Sequence, residues 1–397
     1  GRMKPVHSDI RGPLFVEAMK RQKQGIDILK LNTGNPATFG FGLPDSIKNA
    51  LIEHMQDGVG YCDFKGMPQA RQAICDYETS KGIKGITSDD VFIGNGVSEV
   101  VSFALTPLLN DGDEVLVPSP SYSLWGNSVY LEDGKPVFYT CDEQANWYPD
   151  IQDIRSKITD KTKAIVIINP NNPTGVLYPK ELLLEIIQIA RESGLLIFAD
   201  EIYDRLVMDG KQHISLASLT EDVPVITLNG LSKSHCLCGY RCGWMVISGP
   251  RELTEDYRQG IIQLTSLRLC ANTLAQIVIP AALDDMETPA SMVRPGGRIY
   301  EQREATVREL EKIDGLSFVK NDAAFYVFPK LDVKKFNITN DKQFAHDLLD
   351  ATNILVPGSG FDWKDPDHFR IVMLPQADIL SDAIRRMGTF LDGYKQK

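Results

Sequence analysis

Between residues 91 and 247 the chain alternates short apolar runs with longer amphipathic ones: 164–169, then 180–192, then 195–200. An apolar run of four to eight residues bounded by polar turns reads as a strand buried on both faces. A run of a dozen, with apolar side chains three and four apart, reads as a helix. Their alternation predicts repeated βα units around a mainly parallel sheet. Within 180–191 the leucines and isoleucines fall at helical spacing, and Gly194 is placed to end that helix in a left-handed conformation. Residues 91–93 and 224–228 read as further buried strands, and a helix is expected over 99–109.

After about Asp284 the rhythm changes to a helix over 298–310 and short strands near Phe318, over 325–328 and over 369–372, which together suggest a smaller α/β domain. The first residues are broken by Pro5, Pro13, Gly34, Pro36 and Pro44. They read as an arm that completes the small domain. The expected organisation is an arm over 1–45, a large domain over 46–285 and a small domain over 286–397, with no internal repeat and no low-complexity linker.

Composition narrows the setting. The chain has 397 residues, 43% hydrophobic, enough for a large core without help from disulfides. Seven cysteines in no regular framework suggest reduced thiols and a cytoplasmic protein. The longest apolar runs fall far short of the roughly 20 residues that cross a bilayer, so no membrane span is expected. The net charge of −11, with no block of Lys and Arg, argues against nucleic acid as a partner. Any anionic ligand must be caught by local arginines.

The suspicious polar residues share one placement. Asn172, Asp200, Tyr203 and Lys233 follow three separate apolar runs, and in open parallel sheets ligands bind beyond the carboxyl ends of the strands. A lysine just past a core strand asks for a reason beyond solvation, and Arg241 follows eight residues later. Gly96-Val97-Ser98 opens a helix directly after a strand and supplies free backbone N–H groups for a phosphate. As a dinucleotide fingerprint, Gly94-Asn95-Gly96 lacks its third glycine. His235, Cys236, Cys238 and Cys242 match no standard zinc spacing, so no metal is expected. Read blandly, Tyr203 is a core tyrosine and Asn172 a turn residue before proline.

Beyond these features the sequence resembles the fold-type I, class I/II aminotransferases, and among them the bacterial alanine (glutamate–pyruvate) transaminases. The resemblance runs from about Asp9 to the C-terminus and is carried by Asp9-Ile10-Arg11-Gly12-Pro13, Tyr61-Cys62-Asp63-Phe64-Lys65-Gly66, Gly94-Asn95-Gly96-Val97-Ser98-Glu99 and Arg268-Leu269-Cys270-Ala271-Asn272. It implies a mainly parallel seven-stranded sheet flanked by helices, a smaller α/β domain, pyridoxal 5'-phosphate as cofactor, and a homodimer with shared active sites. Lys233 then takes the role of the amine that forms a Schiff base and moves a proton, and Asp200 that of the carboxylate at the pyridine nitrogen. Tyr203 and Asn172 would bond the phenolic oxygen. Gly96, Val97, Ser98 and Arg241 would hold the phosphate, with Tyr61 contributed by the neighbouring subunit. Tyr122 would stack on the ring. Gly230 departs from the pattern, which often has a hydroxyl there.

For substrate, the resemblance implies that Arg370 grips the α-carboxylate as a planar fork, with Gly34 and Asn172 beside it. Arg11 is the favoured partner for a distal carboxylate and Arg268 the alternative. The expected reaction is transamination between L-alanine and 2-oxoglutarate, giving pyruvate and L-glutamate. The constellation also suits transaminases of aspartate, aromatic or branched amino acids, or a β-lyase. More distantly it suits a non-catalytic ligand-sensing domain.

Overall fold

A computed structural model describes residues 1–8, 10–358 and 360–397; Asp9 of the arm motif lies outside the described residues. The central sheet has eight strands: β1 (Val91–Asn95), β2 (Glu114–Ser119), β3 (Lys135–Asp142), β4 (Tyr148–Pro149), β5 (Thr162–Ile168), β6 (Leu196–Asp200), β7 (Val225–Gly230) and β8 (Cys242–Ser248). Their order is β1-β8-β7-β6-β5-β2-β3-β4. Pairing is parallel throughout the middle, while β8 runs antiparallel to both neighbours and β4 antiparallel to β3. The two-residue edge strand β4 adds an eighth member to the expected seven.

The parallel strands are apolar along their length because both faces are covered. On one face lie Leu183, Ile186 and Ile187 of the helix Lys180–Ser193, which ends at Gly194 with φ 65°. On the other lie Val100, Val101 and Ala104 of the helix Val97–Leu105. That helix starts and stops earlier than the 99–109 expected. Its N-cap is Gly96, and Pro107 stands just past its end, where a proline ring blocks continuation. β1 and β7 outlast their apolar runs because β8 pairs them out to Asn95↔Cys242 and Gly230↔Gly243.

Leu29–Lys30 pairs in parallel with Ile354–Leu355, and Tyr326–Val327 pairs antiparallel with Ile371–Val372. Leu31 of the arm joins Leu310, Phe344, Ile371 and Ile384 in a separate apolar cluster. The helix Arg298–Leu310 has the bounds its periodicity predicts. A further cluster, holding Tyr203, Phe325 and Tyr326, lies between these regions.

One buried ion cluster ties three of these segments together. Lys81, just past the helix Pro68–Ser80, places Nζ 2.7 Å from Glu201, 2.9 Å from Glu78 and 3.0 Å from Asp204. Asp204 also accepts from Tyr77 Oη at 2.6 Å and Asn229 Nδ2 at 2.8 Å, and Arg205 Nη2 donates to the Gly230 carbonyl at 3.1 Å. The loop after β6 and the end of β7 are therefore anchored to the same charges. Burial alone would raise Asp204, but Lys81 and Arg205 outweigh it and hold the carboxyl below its ordinary range. Glu78 goes the other way, raised chiefly by burial. Lys81→Met leaves three buried carboxylates without their common cation and is expected to cost about 3–5 kcal/mol in denaturant unfolding. A loss below about 1 kcal/mol would mean the cluster behaves as a surface pair.

Candidate active site

The carboxyl ends of β1, β2, β5, β6 and β7 open on one edge, and the residues singled out from the sequence converge there unevenly. Asp200 closes β6 and is 7% exposed. Its Oδ2 accepts from Trp125 Nε1 at 3.0 Å, and no cation among the described residues pairs with it. Burial is the main cause that pushes its carboxyl up to about 6, with the Trp125 bond opposing. Three residues later Tyr203 is buried with its Oη 2.9 Å from that of Tyr326.

Lys233 lies in the loop after β7 and donates from Nζ to the Gly34 carbonyl at 2.9 Å. Its ammonium also stands 5.8 Å from the Phe325 ring centroid. Burial works against the charge, but the surrounding Tyr326, Cys238 and Tyr122 leave the amine above its ordinary value. Gly34 has no room for a side chain, since a Cβ there would run into Tyr326 Oη.

Arg370 is 2% exposed, and no carboxylate among the described residues pairs with it. Nη1 donates to Asn172 Oδ1 at 2.9 Å and Nη2 to the Asn32 carbonyl at 2.5 Å, while Nε is buried with no partner. The guanidinium lies 4.5 Å from the Tyr326 ring centroid and 4.7 Å from that of Phe361. Burial lowers its proton affinity. Arg370 is thus a buried cation and not an exposed edge residue.

At the start of the helix Val97–Leu105, Arg241 donates from Nη2 to Ser98 Oγ at 3.2 Å and from Nη1 to the Cys238 carbonyl at 2.9 Å. A Cβ on Gly96 would run into that guanidinium, and one on Gly230 would meet the Cys242 carbonyl at 2.6 Å. The second contact explains why no hydroxyl-bearing residue stands at position 230. Val97 contributes only its backbone, which passes close to Gly243. Tyr122 is 42% exposed and close enough to Lys233 and Arg370 to act on both.

Three residues stand apart. Tyr61 is 84% exposed on the loop after the 3-10 turn Met55–Gly58. Arg11 is exposed on the arm, whose Ile10 carbonyl accepts from Asn32 Nδ2 at 2.9 Å, two bonds from the Arg370 contact. Arg268 pairs with Glu99, donates to the Ile93 carbonyl at 3.2 Å and lies over Phe103. Conversely, Trp125, Tyr326, Asn32 and Phe361 were not anticipated. Trp125 follows Tyr122 at helical spacing and Tyr326 alternates within an apolar strand, weak signals that only contact with Asp200 and Arg370 makes specific.

The family sequence profile described as aminotransferase class I and II matches residues 26–384. The chain belongs to the class I and II aminotransferases. It is 50% identical over 396 residues to the glutamate-pyruvate aminotransferase AlaA of Haemophilus influenzae, covering 100% of this chain and 98% of that protein. It is 46% identical over 397 residues to an alanine aminotransferase of Mycobacterium tuberculosis, covering 100% of this chain and 92% of the relative. An aminotransferase structure from Escherichia coli superposes with a TM-score of 0.98 at 47% identity, covering 100% of this chain and 98% of the other. Aminotransferases of this class and fold are pyridoxal phosphate enzymes, and the family's relatives use amino acids and 2-oxo acids as substrates. In this aminotransferase, as in any protein, a carboxyl raised in the fold favours stability below its unfolded value of 3.8 and loses that contribution as pH rises through about 6. Asp200→Asn is therefore expected to stabilise the cofactor-free protein by about 3 kcal/mol at pH 7, with the gain developing between pH 4 and 6 in urea titrations. A gain independent of pH would refute the burial argument.

Proposed function

We propose that this aminotransferase moves the amino group between L-alanine and 2-oxoglutarate, giving pyruvate and L-glutamate, with pyridoxal 5'-phosphate bound among Asp200, Lys233 and Arg241. The observation that carries the substrate reading is the likeness of about half of all positions, end to end, to enzymes named for glutamate, pyruvate and alanine. The residues suit the cofactor. A buried carboxylate without a cation fits a protonated ring nitrogen, and the Gly96–Arg241 cradle at a helix N-terminus fits a phosphate. Bound pyridoxal phosphate supplies an electrophilic aldehyde and a ring that accepts electrons from the substrate α-carbon.

The chain's own groups divide the remaining work. Asp200 keeps a positive charge at the far end of the site, the more effectively because burial leaves it no water to share. Tyr203 and Asn172 would hydrogen-bond the cofactor's phenolic oxygen, and Tyr122 would cover its ring. Backbone N–H groups of Gly96, Val97 and Ser98 face the phosphate with Arg241. Lys233 Nζ takes the proton from the substrate α-carbon and returns it, while the Gly34 carbonyl holds the amine in place. Arg370 binds the α-carboxylate with the guanidinium N–H groups that Asn172 and Asn32 leave unused, its unpartnered Nε among them. One such fork would take the amino acid and the 2-oxo acid in turn, and ping-pong kinetics follow because the holoenzyme keeps the amino group after the first product leaves and gives it to the second substrate.

Arg11 is the proposed partner for the second carboxylate of glutamate and 2-oxoglutarate, carried on an arm that Asn32 links to Arg370. A homodimer is supported by the apolar surface beside Tyr61, where Val59 is 76% exposed and Leu274, next to Gly58, is 46% exposed; Tyr61 would complete the phosphate site of the second copy. The division into arm, large domain and small domain at 45 and 285, and a cytoplasmic location, belong to the same proposal. Among the described residues no single helix is long and apolar enough to cross a membrane.

The test is a half-reaction screen in which the holo-protein is mixed with single amino acids and the visible band of the cofactor is followed. Alanine and glutamate are expected to bleach it rapidly, with pyruvate and 2-oxoglutarate restoring it. Inertness to alanine alongside reaction with aspartate or an aromatic amino acid would overturn the substrate reading. Arg11→Ala is expected to lower kcat/KM for glutamate by about 10- to 100-fold, the worth of one charge-assisted bond, and to spare alanine. Equal losses for both would remove Arg11 from the distal role.

A further inference from the structure

Tyr326 has no part in the chemistry assigned so far, yet it borders three of the groups that carry it. It lies in the two-residue strand Tyr326–Val327, opposite Val372, so Arg370, two residues before Val372, is its diagonal neighbour on the same face. The Arg370 guanidinium carbon stands 4.5 Å from the Tyr326 ring centroid. Tyr203 meets the same ring edge-on, with centroids 5.6 Å apart, and Phe325 packs against both tyrosines. The Tyr326 hydroxyl is pressed against Gly34, where a Cβ would collide with it, and Gly34 in turn offers its carbonyl to Lys233.

The hydroxyls of Tyr203 and Tyr326 are 2.9 Å apart, both side chains are buried, and among the described residues neither hydroxyl has a second hydrogen-bond partner. Burial raises the Tyr203 phenol well above its ordinary value, so it keeps its proton. If Tyr203 donates to Tyr326, the Tyr326 proton is left buried without an acceptor, which is costly. If Tyr326 donates, its own proton is satisfied and that of Tyr203 is left free to point into the site. With a phenolic oxygen there to accept it, only the second arrangement leaves no proton orphaned.

We propose that Tyr326 is a further positioning residue for the transamination: its hydroxyl donates to Tyr203, which directs the Tyr203 proton onto the phenolic oxygen of pyridoxal phosphate, and its ring supports the Arg370 guanidinium. The inference rests on the cofactor reading above. Its two halves separate by substitution, because Tyr326→Phe removes the hydroxyl and keeps the ring, whereas Tyr326→Leu removes both.

The test titrates the holo-protein with pH in the absence of substrate and follows the visible band of the cofactor. Tyr203 stabilises negative charge on the phenolic oxygen, so a weaker donor there leaves the titrating proton more firmly held. Tyr326→Phe is expected to raise the midpoint by about half a pH unit to one unit, the worth of one neutral hydrogen bond. Tyr203→Phe is expected to raise it further, and adding Tyr326→Phe to that variant to shift it by less than about 0.3 units. Propionate, a carboxylate without an amine, reads the ring. Its dissociation constant, measured by perturbation of the band, is expected to rise about fivefold in Tyr326→Leu and less than about twofold in Tyr326→Phe. An unchanged midpoint in Tyr326→Phe, or additive shifts in the double variant, would overturn the role of the hydroxyl while the cofactor reading stood. Equal weakening of propionate in the Phe and Leu variants would overturn the role of the ring, and a wild-type protein with no visible band would overturn the cofactor reading and this inference together.

Discussion

Two buried charges that lack an opposite charge govern this structure. Among the described residues Arg370 is a cation met only by an amide, a carbonyl and two aromatic faces, and Asp200 an anion met only by an indole and a backbone N–H. Each costs several kcal/mol to hold away from water. A fold keeps such groups only when the surrounding contacts leave them no alternative position. The ligand that satisfies both must present a negative group to one and a positive group to the other.

The contacts that hold Arg370 come from every part of the chain. Asn172 stands after β5 of the central sheet, Asn32 belongs to the arm, and Tyr326 and Phe361 come from the C-terminal region. Asn32 does double service, since its side chain also holds the Ile10 carbonyl. The arm's course is thus set by the same residue that holds the Arg370 guanidinium. The Lys81 cluster anchors the loop that follows Asp200 and the strand that leads to Lys233, so both residues sit on rigid supports.

Much of this was legible because the relevant signals are local. Buried parallel strands read as apolar runs, the helix Lys180–Ser193 as a 3.6-residue period, and Gly194 as its left-handed stop. The polar residues past the strands announced the site edge, and the motifs announced the family. Less legible were partners set by folding. Nothing local marks Trp125 as the partner of Asp200, Tyr326 reads only as part of a strand, and Glu99, the partner of Arg268, is far away in the chain. Even the helix after β1 was read too long because periodicity continues through Pro107 while the backbone cannot.

The sequence by itself determined the βα rhythm, the strand-end placement of Asp200 and Lys233, and the glycines at 34, 96 and 230, because spacing and residue type act through neighbouring backbone. Only the tertiary structure decided which charges remain unpaired. Whether an arginine meets an amide and a carbonyl, like Arg370, or a carboxylate, like Arg268, depends on residues more than a hundred positions away. Electrostatic partnership is a property of distance in space, and no local pattern encodes it.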